Sequence, residues 1–370
     1  MKLKNKSKVI ISIIFVVILV VGILSMYLKS NTEIISLAGN WLNAMNANVE
    51  QRIVGSGLES AYIEWESVDG ATGYNVYICD EASGNYEQLD NELIRRYKDG
   101  TASYWRADAV GLKAGKYHFR IVPIINNQND SSKQFDSDVI NVQAHDRTGF
   151  AWVDGETTGA YNIDGTLKEN ANIIYVTEET KDTVSLEVQT GSNGKTETAQ
   201  GLQNILDLYK KGYDNTPLVI RFIGKVTDPS ALDGGDIVIS GSGSDKRINC
   251  GITLEGIGED ATLYGYGIRI KNATNVEIRN IAVMLTDSSE GDNIGLQQEN
   301  DHVWVHNCDF FYGEAGSDSD QAKGDGALDC KKSTYVTFSY NHFWDSGKSN
   351  LLGLSENTTD GLYITYHHNW

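Results

Sequence analysis

The most restrictive feature of this sequence is a series of short β-type runs that recur at intervals far too long for hairpins. Four of them are closely followed by an asparagine, and these asparagines are 27, 34 and 28 residues apart: Asn280, Asn307, Asn341 and Asn369. One aligned strand per repeat, with insertions that vary the repeat length, predicts a solenoid, here a right-handed parallel β-helix. The runs lie at 252–256, 268–270, 276–280, 303–307, 336–341 and 364–369.

Asparagines at equivalent corners of such coils are expected to stack about 4.8 Å apart and to hydrogen-bond along a ladder. We therefore interpret the four asparagines as structural rather than catalytic. Upstream of the coils, four apolar residues at helical spacing predict an amphipathic helix that ends at 210–212: Leu202, Ile205, Leu206 and Tyr209. Such a helix can cover the open end of a β-helix, where backbone groups are otherwise unpaired.

Residues 51–145 have a different pattern, in which short alternating runs are separated by glycine-containing turns. This pattern predicts an antiparallel β-sandwich. Trp65 and the aromatic runs at 74–77 and 117–120 resemble the residues that fill the gap between the sheets of a fibronectin type III module. We interpret this module as a spacer in preference to an adhesive or sugar-binding unit, and the polar segment 31–50 before it as a linker.

The first thirty residues contain a charge-free apolar run at 9–28, preceded by four lysines. Its length matches a bilayer span, and the lysines are expected on the cytoplasmic side. We interpret 1–30 as a signal anchor, with a cleaved signal peptide ending near 36–38 as the alternative and a buried core helix as a further one. A signal anchor and a cleaved signal peptide would both place the rest of the chain outside the cytoplasm, either anchored to the membrane or secreted.

The charge distribution limits the partners of the exported part. The net charge is −19, and because residues 1–30 hold five lysines and no acid, the remainder carries −24. Nucleic-acid binding is therefore not expected, and a polyanionic substrate would be repelled unless a cation or a basic cluster intervened. The four cysteines have no zinc-type spacing, and we expect them to be buried free thiols. The alternative is a disulfide between Cys308 and Cys330.

Two acidic pairs precede successive strands of the predicted solenoid. They are Glu290 with Asp292, and Asp325 with Asp329. Adjacent coils lie close enough for Asp292 and Asp329 to share a hard cation, which takes six to eight oxygen ligands. Glycines at 324 and 326 allow the chain to bend between Asp325 and Asp329. The alternative is that these acids only solubilise loop tips.

Lys348 follows the strand that ends at Asn341, so we expect it at the same edge as the acids. A cation next to a bound divalent ion suits an oligosaccharide that carries carboxylates, because those carboxylates need pairing against a strongly acidic protein. The alternative for a single lysine in a loop is a side chain that only faces solvent.

The runs at 324–345, 348–355 and 363–370 also carry a family resemblance. The first begins Gly-Asp-Gly-Ala-Leu-Asp and the last contains His-His-Asn-Trp. Together they resemble the core of the pectate lyases of polysaccharide lyase family one, and 254–258, 268–272 and 303–305 resemble further coils of that family. The resemblance covers roughly residues 146–370.

The resemblance implies a calcium-dependent enzyme that cleaves polygalacturonate by β-elimination. Asp292, Asp325 and Asp329 fall on the family's calcium-ligand positions, and Glu290 on an auxiliary one. Lys348 falls on the position of a lysine that binds a substrate carboxylate. The implied cofactor is therefore Ca²⁺ and the implied partner is pectate.

Two departures from the family pattern limit what the resemblance implies. The signature strand reads Trp-Val-His-Asn at 304–307 where the family has Trp-Ile-Asp-His. The family's catalytic arginine follows the His-His-Asn segment, so it is expected beyond Trp370 and no catalytic residue is assigned in this chain. His367 and His368 correspond to stacking corner residues of the family, and we do not expect either to be the base.

We therefore expect a monomeric pectate lyase whose β-helix is truncated in this sequence, so that the chain by itself binds calcium weakly and lacks lyase activity. One alternative is a calcium-independent pectin lyase, which the acid cluster disfavours. Another is a noncatalytic surface protein that only binds plant-wall polysaccharide. An arginine in the sequence after Trp370 would favour the enzyme.

Overall fold

The computed structural model describes residues 49–99, 102–155, 157–244, 246–311, 325–353 and 363–370. The predicted N-terminal helix at 1–30 lies outside these residues, as does most of the predicted linker. Within the described ranges, no helix has the length and the apolar character needed to cross a bilayer. Strands are the predominant regular structure of the described chain, which confirms the all-β class.

The first part of the chain forms two antiparallel sheets. In chain order the strands are β1 (Gln51–Ser56), β2 (Ser60–Trp65), β3 (Ala71–Asp80), β4 (Asn85–Gln88), β5 (Ile94–Asp99), β6 (Ala102–Val110), β7 (Gly115–Ile125), β8 (Gln128–Asn129), β9 (Phe135–Asp136) and β10 (Ile140–Val142). One sheet has the order β1-β2-β6-β5, and the other has β10-β7-β3-β4 with β8 and β9 on β7. Short 3₁₀ turns lie at Asn91–Leu93 and Ser131–Lys133.

One hydrophobic cluster joins the two sheets. Trp65 and Ile63 of the first sheet and Val76 and Phe119 of the second are completely buried in it. Tyr74 is also buried, and its hydroxyl accepts a hydrogen bond from the Val68 amide at 2.7 Å. The sandwich architecture therefore follows from alternating inward apolar residues on both sheets. The narrower resemblance to a fibronectin type III module stays a prediction.

The second part of the chain forms coils of short strands. In chain order they are β11 (Asn172–Val176), β12 (Ser185–Gln189), β13 (Thr196–Gln200), β14 (Leu218–Thr227), β15 (Asp236–Ser240), β16 (Ile252–Tyr264), β17 (Gly267–Lys271), β18 (Thr274–Arg279), β19 (Ala282–Met284), β20 (Ile294–Gln298), β21 (Asn300–His306), β22 (Asp309–Phe311), β23 (Leu328–Cys330), β24 (Ser333–Ser339), β25 (His342–Trp344), β26 (Asn350–Leu352) and β27 (Ile364–His367). Apart from the β12-β13 hairpin, neighbouring strands pair in parallel.

Parallel stacking of these coils gives the predicted β-helix. One row of strands runs β14-β16-β18-β21-β24-β27, a second continues from β16 through β19, β22 and β25, and a third has the order β15-β17-β20-β23-β26. The register places Val276, Val303 and Val336 in line, and each is completely buried. Like apolar side chains thus fill the interior coil after coil. The right-handed sense of the coils stays a prediction.

The helix α1 (Leu202–Tyr209) packs on the N-terminal coils, as the spacing predicted. Its four apolar residues are buried in the same cluster as the solenoid interior. The helix ends at Tyr209 with Lys210 as its C-cap, and Gly212 follows with a φ of +72°. A glycine at this position removes the steric cost of a left-handed conformation.

The four asparagines do not share one corner position, which corrects the predicted ladder. Strand register aligns Asn280 with Asn307 at a corner of positive φ, and it places Asn341 and Asn369 one residue further along their coils. Only the second pair forms a ladder, in which Asn341 Nδ2 donates to Asn369 Oδ1 at 3.1 Å. Asparagine suits both positions for different reasons, since it tolerates left-handed backbone and its buried amide can bond to the next coil.

All four cysteines are buried and free. The alternative of a Cys308–Cys330 disulfide is therefore not formed. Both thiols face the solenoid interior among apolar side chains, where cysteine behaves as a small hydrophobic residue.

Candidate functional site

The acids predicted as metal ligands lie on adjacent coils at the edge of the third row of strands. Asp292 precedes β20 and Asp329 lies in β23, and both are 3% exposed. Their loops are joined by backbone contacts, because the Asp325 amide donates to Gly291 O at 2.7 Å and the Gly326 amide donates to Asp292 Oδ1 at 2.9 Å. Coil stacking therefore brings together residues that are 37 positions apart in the sequence.

Two glycines make room for these carboxylates. A Cβ atom at position 326 would lie 2.1 Å from Asp329 Oδ1, and one at position 295 would lie 3.0 Å from Asp292 Oδ2. Atoms cannot approach as closely as 2.1 Å, so any larger residue at position 326 would displace the Asp329 carboxylate, whereas at position 295 the Asp292 carboxylate would have to shift by only a few tenths of an ångström. Gly326 was predicted to allow a bend in the chain. It also leaves space for the Asp329 carboxylate, a role that the sequence did not indicate.

The negative charges of these buried carboxylates are poorly compensated by hydrogen bonds and cations. Burial, and then the charge of Asp329, raise the pKa of Asp292 to about 6. Burial also raises the pKa of Asp329, whose Oδ1 atom has no hydrogen-bond partner within the described residues. A buried oxygen without a donor costs free energy unless something else binds it.

Lys331 is the main cation at this edge, and it was not among the predicted site residues. Its ammonium lies 3.4 Å from Asp292 Oδ2 and 3.5 Å from Asp329 Oδ2. Burial alone would lower the pKa of Lys331, but the two carboxylates raise it. A period-two reading of the strand could have identified this lysine, since residues two apart on a strand share a face.

Lys348 and Glu290 also lie at this edge but make other contacts. Lys348 Nζ donates to Asp325 Oδ1 at 2.5 Å, which places the predicted substrate lysine next to the acids. Glu290 lies between Arg269 of the preceding coil, which is 3.5 Å from Oε1, and Gln297 of β20, whose Nε2 donates to Oε2 at 3.0 Å.

The carboxylate oxygens of the predicted acids do not converge on one point in this structure. Where three ligand-type atoms of the described chain lie within 4.8 Å of one another, the residues are Cys79, Glu81 and His118, or Asp146, His367 and His368. Instead of an ion, Lys331 lies near both Asp292 and Asp329, and Lys348 pairs with Asp325.

The donor set nevertheless fits a hard divalent cation. It offers several carboxylate oxygens from two coils, one of them unpartnered, in a setting that disfavours their ionised forms. Oxygen-rich sets of this kind suit Ca²⁺. Fold and site together define a parallel β-helix protein with a carboxylate cluster on its surface.

The comparisons with known proteins specify the family. A family model described as pectate lyase matches residues 137–370, and the chain belongs to the pectate lyase family. A pectate trisaccharide-lyase of Bacillus licheniformis is 30% identical over 181 residues, which cover 49% of this chain and 50% of that protein. A probable pectate lyase A of Aspergillus fumigatus is 35% identical over 134 residues, covering 34% of this chain and 40% of that protein.

The chain spans about half the length of the curated relatives it matches. Among solved structures, a pectate lyase from Bacillus sp. N165 in complex with trigalacturonate aligns with a TM-score of 0.47 and 25% identity, over 60% of this chain and 61% of that one. Pectate lyase C from Erwinia chrysanthemi, determined with Ca²⁺, aligns with a TM-score of 0.39 and 22% identity over 61% of this chain and 60% of that one.

Proposed function

We propose that the protein cleaves polygalacturonate by β-elimination and requires Ca²⁺. The observation that carries this proposal is the carboxylate pair Asp292 and Asp329, which is buried on adjacent coils with one oxygen unpartnered. Membership of the pectate lyase family supports the substrate class, and the relatives named above are pectate lyases. The strongly acidic exported part supports the need for a cation, because an anionic polymer is otherwise repelled.

Each residue of the edge has a role in this proposal. Asp292, Asp325 and Asp329 hold the cation, and Glu290 is an auxiliary ligand. When bound, Ca²⁺ would bridge the enzyme and a uronate carboxylate and acidify the proton beside that carboxylate. Lys348 binds a second substrate carboxylate, while Lys331 neutralises part of the acid cluster in the free protein.

No residue of this chain is assigned as the proton-abstracting base. His367 and His368 are engaged elsewhere: His367 Nε2 is 3.0 Å from Thr148 O, and the His368 ring stacks on Tyr340. These contacts support the interpretation of both histidines as corner residues.

Location and assembly are part of the same proposal. A pectate-cleaving protein must meet a polymer that lies outside the cell, which agrees with the predicted export of the chain as a secreted or membrane-anchored monomer. The sandwich would then act as a spacer, and its sheets pack directly against the solenoid through Arg95 and Asp260, whose Nη2 and Oδ1 atoms are 3.0 Å apart.

The test uses the full-length protein and follows the ultraviolet absorbance of the unsaturated product on polygalacturonate. We expect activity with Ca²⁺, none with chelator, and a loss of at least about 10-fold in Asp329→Asn. The matched control is Asp309→Asn, an acid of the same solenoid whose side chain is 55% exposed. Equal rates in chelator would refute the calcium requirement, and absence of the unsaturated product would refute β-elimination.

A further inference from the structure

Three metal-ligating side chains meet at a corner of the solenoid, away from the acid cluster. Asp146 belongs to the segment between the sandwich and the coils, whereas His367 and His368 lie at the end of β27. One carboxylate oxygen and one nitrogen from each ring all lie within 4.8 Å of one another. None of the three side chains is fully buried in the described chain.

The hydrogen bond of His367 shows which of its ring nitrogens is available. Nε2 is 3.0 Å from the carbonyl oxygen of Thr148, and a carbonyl only accepts, so the ring donates through Nε2. In the neutral ring Nδ1 then carries the lone pair, and this Nδ1 lies 2.8 Å from His368 Nδ1. A histidine that donates one nitrogen to a backbone carbonyl and directs the other at a ligand position has the arrangement typical of metal sites.

Tyr340 orients the two other side chains. Its ring lies parallel to the His368 ring, with 4.7 Å between centroids and 1° between planes. Its hydroxyl donates to Asp146 Oδ2 at 3.1 Å, and the amide of Thr148 donates to Asp146 Oδ1 at 3.0 Å. All three candidate ligands are therefore held by neighbouring groups before any ion binds, which lowers the ordering cost of binding.

We propose that Asp146, His367 and His368 bind a borderline transition metal, with Zn²⁺ as the ion of choice. Two imidazole nitrogens and one carboxylate oxygen suit Zn²⁺ and its neighbours, whereas Ca²⁺ prefers oxygen ligands only. Tetrahedral Zn²⁺ with bonds of about 2.0–2.1 Å separates its ligand atoms by about 3.3 Å. On binding, the proton on His368 Nδ1 moves to Nε2 of the same ring through solvent, so that Nδ1 can ligate the metal, and the 2.8 Å contact opens slightly. Water completes the coordination.

The site would fasten the segment before the solenoid to its coils. Next to the site, the Phe150 amide donates to Thr365 Oγ1 at 3.2 Å and the Ala151 amide donates to Thr337 Oγ1 at 3.0 Å. A metal bound to both sides of this contact stabilises the docked segment, since an ion that binds only the folded state raises its stability. This role is independent of the proposed lyase activity.

Isothermal titration with Zn²⁺ tests the proposal on the full chain, first treated with chelator and then kept in excess Ca²⁺ to occupy the acid cluster. We expect one Zn²⁺ per chain and a rise in Tm on binding. His368→Asn, which tolerates the φ of +52° at this corner, and Asp146→Asn should each weaken binding at least about 10-fold. The control is His342→Gln, because His342 pairs with Asp309 at 3.0 Å in the same solenoid and no third ligand joins them among the described residues.

Near-ultraviolet circular dichroism of each variant verifies that the fold is intact. Zinc-edge X-ray absorption of the wild type should show two imidazole nitrogens. The proposal is overturned by absence of stoichiometric Zn²⁺ binding, by unchanged affinity in both site variants, or by equal loss in His342→Gln. Loss of binding in Cys79→Ser instead would assign the ion to the Cys79, Glu81 and His118 group.

Discussion

Two groups of buried charges on the solenoid differ in how completely they are compensated. On the outward side of the first row of strands, Arg221, Glu255 and Arg279 stand in register on successive coils, so positive and negative charges alternate. At the edge of the third row, Asp292 and Asp329 face each other across adjacent coils with Lys331 as their common partner. In the first arrangement the carboxylate is paired with arginines on both sides. In the second, two carboxylates share one lysine.

The pKa values record this difference. Burial by itself would raise the pKa of Glu255, yet Arg279 and Arg221 outweigh it and lower that pKa to about 2. Glu255 Oε2 accepts from Arg279 at 2.7 Å and Oε1 accepts from Tyr161 at 2.6 Å. Asp292 is equally hidden from solvent, and its pKa rises to about 6. A buried carboxylate that is fully paired with cations indicates a structural network, whereas one that is only partly paired indicates a candidate ligand-binding site.

Removal of one partner from the complete network should have the largest effect. Arg279→Leu leaves Glu255 and Glu277 buried with less positive charge, and we expect a loss of about 3–5 kcal/mol in the free energy of unfolding. Urea denaturation measures it. The control is Arg52→Ala, whose partner Glu66 is exposed, with an expected loss below about 1 kcal/mol. A similar loss in both variants would contradict the structural role of the network.

The pH dependence of stability separates the two groups further. In chelator, the raised pKa of Asp292 means that the folded state holds its proton more tightly than the unfolded state, whose value is 3.8. Its contribution is therefore present below pH 3.8 and is lost as pH rises to about 6, with a slope of at most about 1.4 kcal/mol per pH unit.

Urea denaturation between pH 4 and pH 7 in wild type and Asp292→Asn measures this term as the difference between the two profiles. Asparagine cannot titrate, so the variant should lack this part of the decline. Parallel profiles would show that the Asp292 carboxylate is compensated in the folded protein.

The glycine at position 326 tests the geometry of the acid cluster. Gly326→Ala would place a methyl group against Asp329 Oδ1, and we expect the affinity for Ca²⁺ to fall about 10-fold, or about 1.4 kcal/mol. Isothermal titration with Ca²⁺ provides the measurement. Gly347→Ala is the control, because its methyl group would meet no atom within 4 Å. Unchanged Ca²⁺ affinity in Gly326→Ala would argue against Asp329 as a ligand.

The smallest expected effect has the opposite sign. Asp329→Asn removes a poorly compensated buried charge, so in chelator the variant should be as stable as the wild type or more stable by about 1 kcal/mol. Thermal unfolding in chelator and in Ca²⁺ tests this, and the variant should lose most of the stabilisation that Ca²⁺ gives the wild type. A clear loss of stability in chelator would place Asp329 with the structural charges.

Much of the fold could be predicted because its repeat is visible in the spacing of individual residues along the sequence. Val276, Val303 and Val336 recur once per coil and are in register in the structure, and the apolar spacing of α1 matches its buried face. The asparagine ladder was assigned wrongly because the sequence does not show a shift of one residue between coils of unequal length. That shift separates Asn280 from Asn341 in the structure.

The candidate site was predicted less completely than the fold. The sequence indicated the acids and Lys348, since charged residues next to glycines at a strand end are visible in the primary structure. It did not indicate that Lys331 lies between two of the acids or that Glu290 faces Arg269. Those contacts depend on which side chains of neighbouring coils fit together.

The sequence alone determined the repeating strands, the apolar interior and the acidic character of the chain after residue 30, because each depends on residue type and spacing along one chain. Only the tertiary structure decided which charges are paired. Glu255 and Asp292 are both buried carboxylates of the same solenoid, and their pKa values diverge because arginines on the adjacent coils pair with the first and a single shared lysine pairs with the second.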